Sequence, residues 1–397
     1  MDDLLLLIHR IPYPPNKGDK IRSYGLLRHL AQHYRVHLAT FIDDEADRVH
    51  APTVAAMCET SFFAPLAPLS RRVRSLSALA GQRALSCNYY RHAGMQAWVD
   101  AAMKRRTIER IVAFSSPMAQ YAVRFQHARR VVDFCDIDSD KWRQFSERKG
   151  WPMRWLYRRE SRALLAYERE IAASWDASLF VSASEAALFR TLAPESGARI
   201  GHFNIGVDTD YFSPHLDFTK PYPRGERVLV FTGAMDYWPN IDAVQWFAQA
   251  VFPRLLDACP RLRFYIVGAR PTAAVQALAQ QYGVVVTGAV PDIRPYLQYA
   301  ALAVAPLRVA RGVQTKVLEA MAMARTVVVS PQAFEGIDAR AGAELLVADG
   351  ADAFIDRVAA ALTREDRALG MAARARIESA YRWPANMANI AARLECC

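Results

Sequence analysis

LAVAPLRVARGVQTKVLEAMAMARTVVVS, residues 302–330, is the stretch from which the rest of the chain can be read. It opens on an apolar run at 302–306 and passes through a loop that holds Gly312. It then enters a segment, 313–324, whose apolar residues Val313, Val317, Leu318 and Met321 recur at helical spacing. A second apolar run, 326–330, follows at once. Buried strand, helix and buried strand in this order predict a parallel sheet covered on both faces.

The same alternation extends outward in both directions. Strands are expected at 4–9, 36–41, 61–64, 111–114, 130–133, 177–181 and 200–203, with helical periodicity at 22–33, 95–106, 117–125 and 185–192. Residues 211–226 are rich in Pro, Gly and charge, which suits a linker. The pattern restarts with strands at 228–232, 264–267, 284–287, 302–306, 326–330 and 345–348 and helices at 240–258, 272–282, 313–324 and 353–362. The fold class is therefore α/β, with two consecutive doubly wound, Rossmann-like domains. Their limits are expected at 1–210 and 227–380, with 211–226 between them. Ligands of such sheets bind beyond the carboxyl ends of the strands, so two facing domains predict a cleft between them. Residues 381–397 contain a last helix, 384–394, polar enough to lie on a surface and able to pack back across the boundary.

Of the 397 residues, 52% are hydrophobic and 23% charged, the balance of a globular protein with a substantial core. MDDLLLLI at the start is too short for a membrane span and lacks the positive charge of a signal peptide, so it reads as a buried strand. No other stretch approaches the ~20 apolar residues of a spanning helix, which predicts a cytoplasmic protein. Cys58, Cys87, Cys135, Cys259, Cys396 and Cys397 show neither CxxC nor zinc spacing and are expected as buried or incidental thiols.

The net charge of +10 suggests an anionic partner: phosphate groups, nucleic acid or an anionic membrane. Part of it is clustered, at Arg71, Arg72 and Arg74, at Lys104, Arg105 and Arg106, and from Arg154 to Arg162. The last cluster lies in WPMRWLYRRESRALLAYERE, which has helical spacing. It is expected as an amphipathic helix with one packed and one solvated face. The functional alternative is a helix resting on the inner membrane face.

Lys316 carries the sharpest chemistry. It falls in the first turn of the expected helix 313–324. A cation there opposes the helix dipole by a few tenths of a kcal/mol unless an anion is bound nearby. A phosphate at that point would meet the backbone N–H groups of Val313, Gln314 and Thr315 together with the ammonium. Glu319, on the same face, could accept hydrogen bonds from ribose hydroxyls. The bland alternative is a surface Lys316–Glu319 pair worth about 0.2–0.5 kcal/mol. A site directly after a buried parallel strand, with Gly312 just before it, favours the phosphate.

Two other segments invite a role. In the loop PNKGDK, Gly18 permits close backbone approach to a ligand, and Asp19 or Lys20 can reach into a cleft. Equally, the loop reads as a turn with Asp19 as the helix N-cap. Asp133, Asp136, Asp138 and Asp140 follow a strand and could hold a metal, or serve as caps and surface charge. His9, His92 and His202 are expected as structural or exposed.

GVQTKVLEAMA followed by TVVVS resembles the donor-site helix of retaining GT-B glycosyltransferases of the large family four. NIGVDTDYF at 204–212 is similar to the family's domain junction, and VLVFTGAMDYWPN at 228–240 to the first strand and glycine loop of its donor domain. IVGAR at 266–270, VTGAVP at 286–291 and FEGI at 334–337 resemble the segments that follow. IPYPPNKGDKIRSYGLLRHL and VVDFCDIDSDKW are similar to a narrower subgroup, the sugar transferases of exosortase and PEP-CTERM exopolysaccharide systems. The resemblance spans nearly the whole chain; its motifs are jointly specific and individually weak.

It implies a donor side of Gly233, Asn240, Gly268, Val290, Arg308, Gly312, Val313, Gln314, Thr315, Lys316 and Glu319. Lys316, Glu319 and Arg311 would act on the reacting diphosphate and sugar. It implies an acceptor side of Gly18, Asp19, Lys20, Asp136, Asp138 and Lys141, and no required metal or cofactor. Two positions depart from the family. Arg311 stands where it has a Glu that touches the donor sugar, and Ala234 and Asn240 occupy a loop that usually holds an Arg/Lys pair.

The expected function is transfer of a hexose-type sugar, with retention, from a UDP- or GDP-sugar to a hydroxyl on a growing, lipid-linked glycan. The expected place is the cytoplasm, with peripheral contact to an anionic inner membrane. A same-fold epimerase would need a carboxylate and His pair that the donor segment lacks. A noncatalytic nucleotide-sugar-binding scaffold is the rival from another class, raised by Arg311 and the missing Arg/Lys pair. A nucleic-acid binder has only charge in its favour, since no groove-reading helix or aromatic-interleaved basic strand is present.

Overall fold

The computed structural model describes residues 1–397 except 16, 67–80, 82, 148, 311, 365–366 and 396–397. Arg71, Arg72, Arg74, Arg311, Cys396 and Cys397 therefore lie outside the described residues. The chain forms two compact units: Met1–Gly206 with Pro384–Cys397, and Val207–Trp383.

The first unit is built on a seven-stranded parallel sheet, ordered β3-β2-β1-β4-β5-β6-β7. Its strands are β1 Asp2–Ile8, β2 Tyr34–Ile42, β3 Thr60–Pro65, β4 Ile108–Phe114, β5 Arg129–Cys135, β6 Ala177–Phe180 and β7 Ile200–His202. β1 lies against both β2 and β4, and its residues Leu4 to Ile8 are fully buried. That explains why this run is apolar without alternation: helices cover both faces of the sheet.

The second unit holds a six-stranded sheet, ordered β10-β9-β8-β11-β12-β13. Its strands are β8 Arg227–Thr232, β9 Leu262–Val267, β10 Val284–Gly288, β11 Leu302–Ala305, β12 Val327–Val329 and β13 Leu346–Val347. All pairings are parallel. In each sheet the order reverses beside the central strand, at β1/β4 and at β8/β11. Loops leaving those two strands diverge to opposite faces and open a crevice.

Several boundaries differ from expectation for local reasons. The helix expected at 240–258 is interrupted: Trp238–Trp246 and Phe252–Ala258 flank a π turn at Phe247–Val251. Pro253 has no N–H for the carbonyl of Gln249, and the wider turn absorbs the break. Residues 117–125 form a 3₁₀ turn, Ser116–Tyr121, entered through Ser115 at φ 76° and started by Pro117. The 272–282 helix is likewise shortened, to Ala273–Gln276 followed by a 3₁₀ turn at Ala277–Gln280. A helix at Arg367–Ala380 was not expected.

Residues 211–226 are not a free linker but part of the second unit. Tyr222 donates to the carbonyl of Tyr296 at 2.6 Å, and Arg374 donates to that of Phe212 at 2.9 Å. The chain instead changes unit between Gly206 and Val207. The last helix, Trp383–Glu395, packs on the first unit, where Arg129 donates to the carbonyl of Arg393 at 3.0 Å. Among the described residues no helix is long and apolar enough to cross a membrane.

Candidate functional site

The crevice of the second unit begins with two glycines. Gly233 follows β8 and Gly268 follows β9, at φ +155° and +157°, a region that side chains rarely adopt. A Cβ on Gly268 would lie 1.7 Å from the Gly233 carbonyl oxygen. One on Gly233 would lie 2.8 Å from Asn240 Nδ2 and 3.3 Å from Lys316 Nζ. The bare backbone therefore leaves room where Asn240 and Lys316 meet.

The helix behind them runs Thr315–Ala322, two residues later than the periodicity suggests. Gly312 at φ 66° and Gln314 in an extended conformation hold Val313 and Gln314 outside it. Val317 N–H reaches back to the Gln314 carbonyl at 2.9 Å, so the N–H groups of Thr315 and Lys316 are those left without an intrahelical acceptor. Val317, Leu318, Ala320, Met321 and Ala322 anchor the helix in the core.

From this fixed first turn Lys316 extends over the Phe231 ring, 4.8 Å from its centroid, and donates to Asn240 Oδ1 at 2.5 Å. Glu319 lies one turn on and makes no ion pair with it, so the surface-pair alternative does not hold. Burial pushes the Lys316 ammonium down to about 8 and the Glu319 carboxyl up to about 7. Each charge has lost water without gaining the other as a close partner. A ligand offering an anion to Lys316 and hydroxyl donors to Glu319 would stabilise both charged forms.

The other expected donor residues are placed as follows. Arg308 grips Asp242 through Nε, at 2.9 Å, and Nη2, which occupies the planar face of its guanidinium. Val290 lies half-buried in the loop after β10. Gly312, Val313 and Gln314 line the approach to the helix, each half-buried. Tyr237 and Trp238, exposed aromatics at the start of the helix that carries Asn240, were not expected at the site. Two adjacent rings after a strand-end glycine were the available signal.

In the first unit, Asp19 is not the helix N-cap. Lys17 holds that position without a side-chain bond, and Asp19 lies in the first turn of Gly18–His33. There it meets Arg10 Nη1 at 2.9 Å and His9 Nε2 at 3.3 Å. Burial opposes its ionisation, but the hydrogen bond and charge of His9 with the charge of Arg10 outweigh this and hold it well below the usual carboxylate range. His9 is stacked on Phe114. Lys20, buried, pairs with Asp47 at 2.6 Å.

The four aspartates after β5 are divided among different partners. Asp133 receives a two-pronged bond from Arg22, at 2.8 and 3.0 Å, and both groups are fully buried. Arg22 also donates to the carbonyls of Phe203 and Phe180 and lies 3.5 Å from the Phe203 ring centroid. Asp136 and Asp138 flank Lys141 at 3.7 and 3.1 Å, and Asp140 takes Arg143 and Gln144. Asp138 chiefly raises the Lys141 pKa, whereas burial raises that of Asp136. Among the described residues no group of three or more His, Cys, Asp or Glu is arranged to hold a metal. The Arg22–Asp133 bond joins the helix carrying Gly18, Asp19 and Lys20 to the strand preceding Asp136, Asp138 and Lys141. Both sets therefore lie beyond the carboxyl ends of one sheet.

Residues 226–364 match the family described as glycosyl transferases group 1. No curated protein matches the chain. Among solved structures, sucrose-phosphate synthase from Thermosynechococcus elongatus aligns with a TM-score of 0.72 at 16% identity, covering 98% of each chain. Anabaena HepE in complex with UDP and glucose aligns at 0.66 and 14% identity, covering 98% of this chain and 99% of its own. WaaG, a glycosyltransferase involved in lipopolysaccharide biosynthesis, aligns at 0.67 and 15%, with the same coverage. The fold is therefore GT-B, and residues 226–364 of the second unit resemble the glycosyl transferases group 1 family.

Proposed function

We propose that this glycosyltransferase moves a hexose-type sugar, with retention, from a UDP- or GDP-sugar to a hydroxyl of a growing, lipid-linked exopolysaccharide, in a system of the PEP-CTERM type. The observation that carries the donor half is the Lys316–Asn240–Glu319 arrangement at the β8/β11 reversal. HepE, of like fold, is described with UDP and glucose, which supports a UDP-sugar.

In this reading the free N–H groups of Thr315 and Lys316 and the Lys316 ammonium bind the diphosphate. They stabilise the negative charge that grows on it as the glycosidic bond breaks. Glu319 accepts hydrogen bonds from the ribose hydroxyls. Gly233 and Gly268 let the backbone approach the phosphates. Retention follows if the acceptor hydroxyl attacks from the face the diphosphate leaves, passing its proton to the departing phosphate oxygen. That route needs no enzymatic nucleophile, metal or organic cofactor, and positioning supplies most of the rate. The enzyme would work in the cytoplasm at the inner membrane face.

The test is to incubate purified protein with radiolabelled nucleotide sugars and a membrane-extract acceptor. Free nucleotide and product label are followed, with and without a chelator, and the anomeric configuration is read by NMR. Release of UDP or GDP with label in the extract supports transfer. Binding without turnover would instead support a nucleotide-sugar-binding scaffold, and an altered free nucleotide sugar an epimerase.

A further inference from the structure

The helix Met153–Ser174 is much longer than the strands beside it. Its 22 residues extend about 33 Å, whereas the seven of β5 extend about 23 Å. Its last turn is held at the amino ends of the strands, where Arg130 donates to the Ser174 carbonyl at 2.6 Å. Glu168, buried, receives bonds from the N–H and hydroxyl of Ser139, just past the carboxyl end of β5. From Glu168 back to Met153 the helix therefore continues about 22 Å past that level. It is steadied there by the partner helix Asp138–Glu147 and by Glu160, which accepts from the N–H groups of Leu85 and Ser86.

The tip of this hairpin differs from the rest of it. Residues 149–155 are all exposed, and Trp151 and Trp155 show 86% and 56% of their surface. Met153 is exposed beside them. Lys149, Arg154 and Arg158 next to them in sequence, and Arg162 one turn further along the helix, are exposed and have no ion pair among the described residues. Elsewhere on the hairpin, Arg143, Arg159 and Arg169 all face carboxylates. The packed face that the amphipathic pattern predicts is real, but it belongs to the distal part: Leu164, Ile171 and Ala172.

Indole rings favour the boundary between headgroups and acyl chains, and unpaired Lys and Arg beside them are drawn to anionic lipid. We infer that this tip, Trp151 and Trp155 with Lys149, Arg154 and Arg158 and with Arg162 on the adjoining turn, docks on an anionic phospholipid surface. The inference rests on the proposed lipid-borne acceptor for its purpose. The helix length places the docked tip on the carboxyl-end side of the sheet, the side of Asp136, Asp138 and Lys141. An acceptor anchored in the same leaflet would then be met within the reach of one helix.

The experiment is flotation of the full chain with vesicles of phosphatidylcholine alone and of an equal mixture with phosphatidylglycerol. Binding to the mixed vesicles only, with a blue shift of tryptophan fluorescence, is expected. The double variant Trp151→Ser/Trp155→Ser should weaken it about tenfold or more, and Lys149→Glu/Arg154→Glu/Arg158→Glu at least as much. Trp151→Tyr/Trp155→Tyr should largely restore it. Equal binding by wild type and the serine variant, or indifference to lipid charge, overturns the inference. So does a wild-type dimer that the serine variant dissolves, since the face would then belong to a second copy. UDP and GDP binding is measured alongside: its loss in wild type would sink the donor-site reading and leave the docking result standing.

Discussion

Lys316 Nζ and Asn240 Oδ1 are joined by a 2.5 Å hydrogen bond between the helix after β11 and the helix after β8. The bond spans the point where the strand order of the second sheet reverses. Asn240 offers a neutral amide, so the ammonium is oriented by a dipole. It is free to turn toward an incoming anion without breaking an ion pair.

Lys316→Ala should therefore weaken nucleotide-sugar binding by about 1.5–3 kcal/mol, roughly 10- to 150-fold, in a calorimetric titration. Asn240→Ala, which removes only the orienting group, should have a smaller effect.

Binding should also be bell-shaped in pH. Above about 8 Lys316 loses its charge, and below about 7 Glu319 is protonated and offers fewer acceptors. Lys316→Ala should flatten the alkaline limb and Glu319→Gln the acid limb. Unchanged limbs in both variants would place the titrating groups elsewhere.

Gly268→Ala should displace the β8 and β9 loops, because its Cβ would overlap the Gly233 carbonyl at 1.7 Å. A loss of about 3 kcal/mol or more is expected by chemical denaturation, together with loss of nucleotide binding.

Asp133→Asn leaves the Arg22 guanidinium buried and uncompensated, and should destabilise the first unit by about 3–5 kcal/mol. Arg22→Met/Asp133→Leu should recover part of that loss, since two apolar groups leave no buried charge behind.

Glu168, pushed up to about 8 by burial, gives a stability test with a definite sign. Its folded pKa exceeds the unfolded value of 4.5, so its stabilising protonation is fully present below 4.5 and lost as pH rises toward 8. Glu168→Gln should match wild type near pH 4.5 and exceed it in melting temperature at pH 8. A constant difference across that range would refute the assignment.

The strands were legible to within three residues at their ends because doubly covered strands must be apolar throughout, and runs such as LLLLI and VVV announce them. The start of the helix bearing Lys316 was not, because Val313 matches the helical period while Gly312 and Gln314 keep it outside. Arg367–Ala380 was missed: its Ala and Arg residues mark an apolar face only faintly. Lys316, Glu319, Gly233 and Gly268 stood out as candidates because they belong to short contiguous segments. The Arg22–Asp133 and Glu168–Ser139 pairs join residues 111 and 29 positions apart, and single-sequence periodicity carries no trace of such partners. Arg10 with Asp19, and Lys20 with Asp47, escaped for the same reason.

The return of the last helix to the first unit means that the second unit is, in topological terms, an insert. Its two ends, Val207 and Arg382, are paired across a β-bridge. Residues 207–383 thus form a segment with adjoining termini, suited to expression alone and to excision behind a short bridging loop from 206 to 384. The first unit has no such independence: it is discontinuous in sequence, and trimming the carboxyl terminus for convenience removes one of its packed helices.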